Sequence, residues 1–220
     1  MELLNLEAAI FDLDGVVFNS EPLYQRAWCA AARDCGYALT AEEHLQLRGR
    51  GRRGAIAKLC QMAGAGFKSD LLPERLEYYE KLFFSAASLP LKPGVLELLH
   101  ELKVRNIKTA IATSTSRENT LFRMERNGLS GKFTIIVTGD DVQRGKPYPD
   151  IFLLAAGRLG ASPARCLVFE DSEAGLEAAQ RAGMIACLVP DLDQPNERTK
   201  VLAGYVFASL VEARQRLFGG

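Results

Sequence analysis

Residues 8–17 read Ala8-Ala9-Ile10-Phe11-Asp12-Leu13-Asp14-Gly15-Val16-Val17. Four apolar residues without alternation describe a strand covered on both faces, as in a parallel sheet. Two carboxylates and a glycine follow where that strand must end. Four similar runs recur downstream: Thr109–Ala112, Phe133–Val137, Cys166–Phe169 and Ile185–Val189. The segments between the later runs have helical spacing. Pro93 starts one, Arg117–Asn127 is another, and Pro149 opens a third that Gly160 closes. Ser172 caps a fourth, running from Glu173 to Ala182 and stopped by Gly183. Strand and helix in alternation predict an α/β fold: a three-layer, Rossmann-like core with helices on both faces of a parallel sheet.

The alternation breaks between the first and second strands. About 90 residues separate Asp14 from Thr109, far more than one crossover needs. Most of them read as helix, over Glu21–Cys35, Thr40–Leu47, Arg53–Ala63 and Leu71–Ala87. The expected organisation is a core of residues 1–19 and 89–220 with a small all-helical cap, 20–88, inserted after the first strand. The chain would hinge near Asn19–Glu21 and Ser88–Lys92. Trp28 is expected in the cap's core, and Gly64-Ala65-Gly66 at a helix end.

Composition narrows the function. The 220 residues are 48% apolar and 25% charged, ordinary for a globular chain. The 27 Lys and Arg balance the 27 Asp and Glu, so no net field draws the chain to nucleic acid or to an anionic membrane. No apolar run reaches the roughly 18 residues of a membrane-spanning helix. The first residues carry no Lys or Arg before their apolar stretch, unlike a signal peptide. A cytoplasmic protein without nucleic-acid or membrane partners is expected, as a monomer or at most a weak dimer. The odd cysteine count, without a CxxC pair, argues against a disulfide framework or a Cys-based zinc site. Cys166 and Cys187 fall in strand-like runs, as small hydrophobes. With only His44 and His100, and no GxSxG, a Ser-His-Asp hydrolase is disfavoured. Gly49-x-Gly51-x-x-Gly54 matches a dinucleotide fingerprint by letter, but it follows a polar helical stretch rather than a strand.

Ligands of open parallel sheets bind beyond the carboxyl ends of the strands. The residues there are Asp12 and Asp14; Thr113 and Ser114; Asp140, Asp141 and Lys146; Glu170, Asp171 and Ser172; and Asp191. Asp12, ionised at neutral pH on its reference value, can attack without a base. A hard cation held by Asp12 and Asp171 would offset repulsion from an anionic substrate, and Mg²⁺ suits so few carboxylates. Lys146 adds positive charge. Thr113, with Ser114 beside it and nearby N–H groups at the start of the Arg117 helix, can bind phosphate oxygens. This combination suits phosphoryl transfer.

Asp12-Leu13-Asp14-Gly15-Val16-Val17, the Thr113 turn, Gly145-Lys146-Pro147 and Glu170-Asp171-Ser172 resemble the four ordered motifs of the haloacid dehalogenase superfamily. The likeness runs from about Ala8 to Val189, and is greatest to its capped small-molecule phosphatases and β-phosphoglucomutases. It implies that Asp12 is the nucleophile and forms an aspartyl-phosphate. Asp14 would be the general acid–base and lend its backbone carbonyl to the metal. Thr113 would be the motif hydroxyl, Lys146 the motif lysine, and Glu170 and Asp171 the metal-binding acid pair. In the cap, Gly49-Arg50-Gly51-Arg52 is similar to a Gly-x-x-Arg segment that looks toward substrate, so Arg52 would contact its distal end, such as a second anionic group. Glu21 matches a pattern near the entrance. Tyr24 stands where β-phosphoglucomutases have His.

The function so implied is Mg²⁺-dependent hydrolysis of a small phosphomonoester, a sugar phosphate or related metabolite. A phosphosugar mutase on the same scaffold is one alternative. The other is a non-catalytic phospho-Asp signalling module; receiver domains share the acidic cluster, hydroxyl and Lys, but are much shorter and lack the insert.

Overall fold

The computed structural model describes residues 5–48, 51–86, 88–192 and 194–219. Two compact units emerge, Met1–Asn19 with Pro90–Gly220, and Ser20–Leu89. In chain order, β1 (Ala8–Phe11) precedes four helices, α1 (Glu21–Asp34), α2 (Ala41–Leu45), α3 (Gly51–Ala63) and α4 (Leu72–Ala86). There follow α5 (Val95–Val104), β2 (Lys108–Ala112), α6 (Arg117–Arg126), β3 (Ile135–Val137) and α7 (Asp150–Leu159). The chain closes with β4 (Cys166–Glu170), α8 (Glu173–Arg181), β5 (Ile185–Leu188), α9 (Glu197–Leu202), β6 (Tyr205–Val206) and α10 (Leu210–Phe218).

The sheet has six parallel strands in the order β3-β2-β1-β4-β5-β6. From β1 the chain winds outward through β2 and β3, then returns to the other side of β1 for β4. That reversal opens a crevice at the carboxyl ends of β1 and its neighbours, the usual ligand position in doubly wound sheets. Successive residues supply opposite faces. Ala8, Ile10, Ala110, Ala112 and Val168 pack with Phe152 and Ala156 of α7 and with Leu176 and Ala179 of α8. On the alternate positions Phe11 stacks on Phe169 at 4.8 Å and meets the edge of Phe133 at 5.7 Å. Helices α5 and α10, which pack together, complete the third layer.

The five expected strands are all present, with ends shifted by a residue or two. The third is shorter, because Phe133 leaves the strand to join the core. The two-residue β6 was not anticipated; it is too short to carry a period and pairs through Cys187–Tyr205 and Leu188–Val206. Cap residues behave as their chemistry requires. Gly160 closes α7 at φ +63, and Ser172 accepts from the Gly175 amide at the start of α8.

Of the linking segments, Asn19 and residues 90–92 belong to the sheet unit. Asn19 donates to the Pro90 carbonyl, and Lys92 to that of Val17. The helical unit has its own core, in which Trp28, Ala31, Leu59, Leu72 and Leu76 are buried. Thr40 and Glu43 form a reciprocal capping box at the start of α2. Among the described residues, no helix is long and apolar enough to cross a membrane.

Candidate active site

Asp12 is the first residue past β1, and its amide still donates to the Phe169 carbonyl of β4. Its carboxylate therefore emerges between two strands at the winding reversal, 8% exposed. Lys146, from the loop before α7, reaches Asp12 Oδ1 at 2.5 Å, Glu170 Oε1 at 2.6 Å and the Ala112 carbonyl at 3.1 Å. One ammonium thus joins the ends of β1, β2 and β4. Its aliphatic stem is shielded, and the charge stands 5.0 Å from the centre of the Phe152 ring.

Glu170, expected as a metal ligand, is the last residue of β4 and has both oxygens in hydrogen bonds. Oε1 takes Lys146, while Oε2 accepts from the Asp171 and Ser172 amides and the Ser172 hydroxyl, at 2.9–3.0 Å. Both oxygens are spent on orienting Lys146 and the turn into α8. A Cβ on Gly175 would lie 1.9 Å from this carboxylate, so only glycine lets α8 start there.

Asp171 shares the same small space. It packs against Gly15, whose φ of +87 bends the chain back after Asp14. Asp191 lies beside them and is held by Lys92 at 2.6 Å. Burial, reinforced by the carboxylates of Glu170, Asp12 and Asp191, pushes Asp171 well above the usual carboxylate range. Burial also raises Asp12 to about 7 despite the pull of Lys146. Lys146 is itself pushed upward: burial opposes its charge, but Asp12 and Glu170 outweigh that.

The donor set fits a hard divalent cation. Asp12 and Glu170 share one ammonium with Asp171 close by, and the two carboxylates not spent on hydrogen bonding to the turn, Asp12 and Asp171, have their pKa raised by burial. A cation would stabilise their ionised forms. Among the described residues no three His, Cys, Asp or Glu side chains form a ready-made cage. The ion would rest on two carboxylates, a main-chain oxygen and water, a pattern that suits Mg²⁺ better than zinc.

Thr113 is buried, donates its amide to Val137 and accepts the Thr115 amide on its hydroxyl oxygen at 3.1 Å, which shapes the turn. Ser114 beside it is exposed. Asp14 points to α6: Arg123 Nη1 donates to its two oxygens at 2.9 and 3.1 Å, and Thr115 Oγ1 donates at 2.8 Å. Asp140 and Asp141, although they follow a strand end, serve the scaffold. Asp140 accepts the Arg117 amide, and Asp141 binds Thr138, Arg117 and Arg158.

Glu21 and Arg52 line one cavity of about 310 Å³ inside the helical unit, together with Tyr24, Trp28, His44 and Arg48. Arg48 pairs with Glu21 at 3.0 Å, and Arg52 with both oxygens of Glu80 at 3.1 and 3.3 Å. Arg52 therefore already faces a carboxylate. Tyr24 packs on Phe84 at 4.8 Å. Gly49 and Arg50, the first half of the expected Gly-x-x-Arg segment, lie outside the described residues.

Arg123 and Thr115 were not anticipated. Arg123 sits in a polar helix with two other arginines, and only the fold shows that its side chain is 4% exposed and turned inward.

A doubly wound sheet with a paired carboxylate and lysine at its winding reversal, and a helical insert after the first strand, defines a class of group-transfer enzymes centred on an aspartate. The comparisons with known proteins agree: residues 6–183 match the haloacid dehalogenase-like hydrolase family, and the chain belongs to it. It is similar to the phosphorylated carbohydrates phosphatase of Thermotoga maritima, 38% identical over 179 residues that cover 81% of this chain and 82% of that one. It is also similar to the beta-phosphoglucomutase of Bacillus subtilis, 33% identical over 187 residues, 82% of each chain. Among solved structures, CbbY of Rhodobacter sphaeroides in complex with xylulose-(1,5)bisphosphate superposes with a TM-score of 0.78 at 28% identity, covering 94% of this chain and 96% of that one.

Proposed function

We propose that this hydrolase is a Mg²⁺-dependent phosphatase acting on a small phosphomonoester, a sugar phosphate or related metabolite, through a phosphorylated Asp12. The observation that carries the reading is the Asp12 carboxylate paired with Lys146 at the winding reversal. An Asp12 oxygen attacks phosphorus, and the ester P–O bond breaks as Asp14 gives its proton to the leaving oxygen. Water then attacks the same phosphorus and passes its proton to Asp14, the bond to Asp12 breaks, and phosphate leaves. Lys146 offsets charge on the transferring group, while Thr113, Ser114 and the N–H groups at the start of α6 receive its oxygens. Asp12, Asp171 and the Asp14 carbonyl would hold Mg²⁺, which would supply charge neutralisation at the phosphoryl group. Glu170 orients Lys146 rather than holding the ion.

The cavity of the helical unit supports a hydroxyl-rich organic group. Its two arginines already face glutamates, and Trp28 and Tyr24 give it aromatic walls. Such a set offers donors and acceptors together, which suits a polyol better than a second phosphate. The balanced net charge fits a small metabolite better than nucleic acid or an anionic membrane.

The test is phosphate release from a panel of small phosphomonoesters, with Mg²⁺ and with chelator. Release that needs the metal and disappears in a folded Asp12→Asn protein is expected. No release from any member, or undiminished release by Asp12→Asn, would overturn the reading. Isomer formation outrunning phosphate release would mark a mutase instead.

A further inference from the structure

We propose that Arg123 is a positioning residue for Asp14, fixing the orientation in which that carboxylate exchanges its proton with the leaving oxygen. The inference rests on the acid–base reading of Asp14 and deepens it. Arg123 is a costly residue to place where it is. A guanidinium taken out of water must be repaid by close, charged hydrogen bonds. It lies in the last turns of α6, between buried Thr120 and Met124, and its side chain is 4% exposed. The loop it reaches is distant in sequence: Asp14 precedes it by 109 residues.

The contact is directional. Nη1 of Arg123 spans Oδ1 and Oδ2 at 2.9 and 3.1 Å, and Thr115 Oγ1 adds a bond to Oδ2 at 2.8 Å. Contacts to both oxygens from two separate side chains fix the plane of the carboxylate. Both partners are themselves held. Thr115 sits in the turn that Thr113 shapes, and Asn127 Nδ2 donates to the Arg123 carbonyl at 2.7 Å. The segment that receives the phosphate and the helix behind it thereby set the angle of Asp14. The acid is locked to the phosphate-binding turn through the Thr115 hydroxyl and to α6 through the Arg123 guanidinium.

A residue that orients the acid matters where the leaving group needs a proton. An alkyl oxygen does; a p-nitrophenolate leaves as a stable anion without one. The measurement is kcat/KM, which reports steps up to departure of the alcohol, for a simple alkyl phosphate and for p-nitrophenyl phosphate. Arg123→Met should lower the alkyl value on the order of 10²-fold, as a misplaced catalytic group does, and leave the aryl value within about threefold with KM little changed. In an Asp14→Asn background the same substitution should cost nothing further, since residues acting as one unit are not additive. Thr115→Val buries no charge and should give a smaller split of about tenfold, the worth of one hydrogen bond. It carries the test if Arg123→Met fails to fold, and Arg123→Lys should recover part of the loss.

Equal losses on both substrates, an added loss in the Asp14→Asn background, or no loss at all would overturn the inference while leaving Asp14 in place. A missing split in Asp14→Asn itself would instead overturn the acid–base reading, and the inference with it.

Discussion

Gly15→Ala probes whether the turn after β1 and the Asp171 carboxylate are built as one piece. A Cβ at Gly15 would stand 2.4 Å from Asp171 Oδ2 and 2.9 Å from its Cγ, where ordinary contact begins at 3.4 Å. The carboxylate must retreat by about 1 Å, or the turn must open. Gly183 is the control, since its φ is +71 but nothing lies within 4 Å of its Cβ. Both alanines carry the left-handed penalty of about 1–2 kcal/mol, offset by roughly 0.4–1 kcal/mol from a stiffer unfolded chain. Only Gly15→Ala adds an overpacking cost of about 1–3 kcal/mol. Taking about 2 kcal/mol for that difference, it should melt roughly 4–8 °C below Gly183→Ala. The displaced group is also a proposed Mg²⁺ ligand, and Mg²⁺ tolerates little departure from octahedral geometry. The Mg²⁺ concentration for half-maximal phosphate release should rise about tenfold or more in Gly15→Ala, and not in Gly183→Ala. Thermal melts by circular dichroism and Mg²⁺ titrations of activity supply both numbers. Equal melting points and equal metal requirements in the two variants would refute the close approach and its link to the metal.

Lys146→Met removes the ammonium shared by Asp12 and Glu170 and should destabilise the metal-free protein by about 3–5 kcal/mol; urea unfolding that shows no loss would exclude the pairing. Ser172→Ala loses the α8 cap and one donor to Glu170, and should cost about 1–2 kcal/mol by the same assay. His44 is 3% exposed, and burial, aided by the nearby Arg48 cation, lowers its pKa from 6.5 to about 4. The unfolded chain then takes up the proton first, so stability is full above pH 6.5 and falls by about 3 kcal/mol toward pH 4. Trp28, the only tryptophan, is in the same core as His44 and can report that loss by its fluorescence; a flat profile, or one unchanged in His44→Gln, would contradict it.

Most of the sheet was legible because its strands are buried on both faces. Ala8–Phe11 and Cys166–Phe169 are apolar at every position, and such runs stand out against amphipathic helices. Tyr205–Val206 could not be seen: two residues carry no period, and only the edge of β5 makes them a strand. The same division runs through the site. Asp12, Thr113, Lys146 and Asp171 were visible because each follows a strand or its loop. Their separate duties were not. Asp140 and Asp141 have the same chemistry and the same kind of position, yet they cap and brace α6 and α7, because arginines happen to lie within reach. Glu170 and Asp171 are neighbours, but the strand end turns one toward Lys146 and the other toward Gly15. Which partner a carboxylate meets is a long-range property, and one chain's local pattern does not contain it. Arg123 shows the point most sharply, since α6 holds five charged side chains beside three apolar ones, and burial selects one of the charged set.

The site is built against its own stability, which gives a last prediction. Asp12 and Glu170 are drawn out of water around one ammonium, with the Asp171 carboxylate beside them. In the folded protein Asp12 titrates near 7 rather than near 3.8, chiefly because burial disfavours its charge. Between those values the folded state holds a proton that the unfolded state has released. The metal-free protein should therefore lose stability as pH rises from about 4 to about 7. Asp12→Asn keeps the shape, removes the charge and should flatten that fall, so at pH 8 the inactive variant melts above the wild type when chelator is present. Mg²⁺ should reverse the order, because an ion that binds only the folded state stabilises it by mass action, and Asp12→Asn has given up one of its ligands. Melts of both proteins at pH 5 and pH 8, with chelator and with Mg²⁺, separate the cases. If Asp12→Asn is the less stable protein in chelator at pH 8, the Lys146 pair outweighs the crowding of like charge. The carboxylate would then be there for the fold as much as for the chemistry.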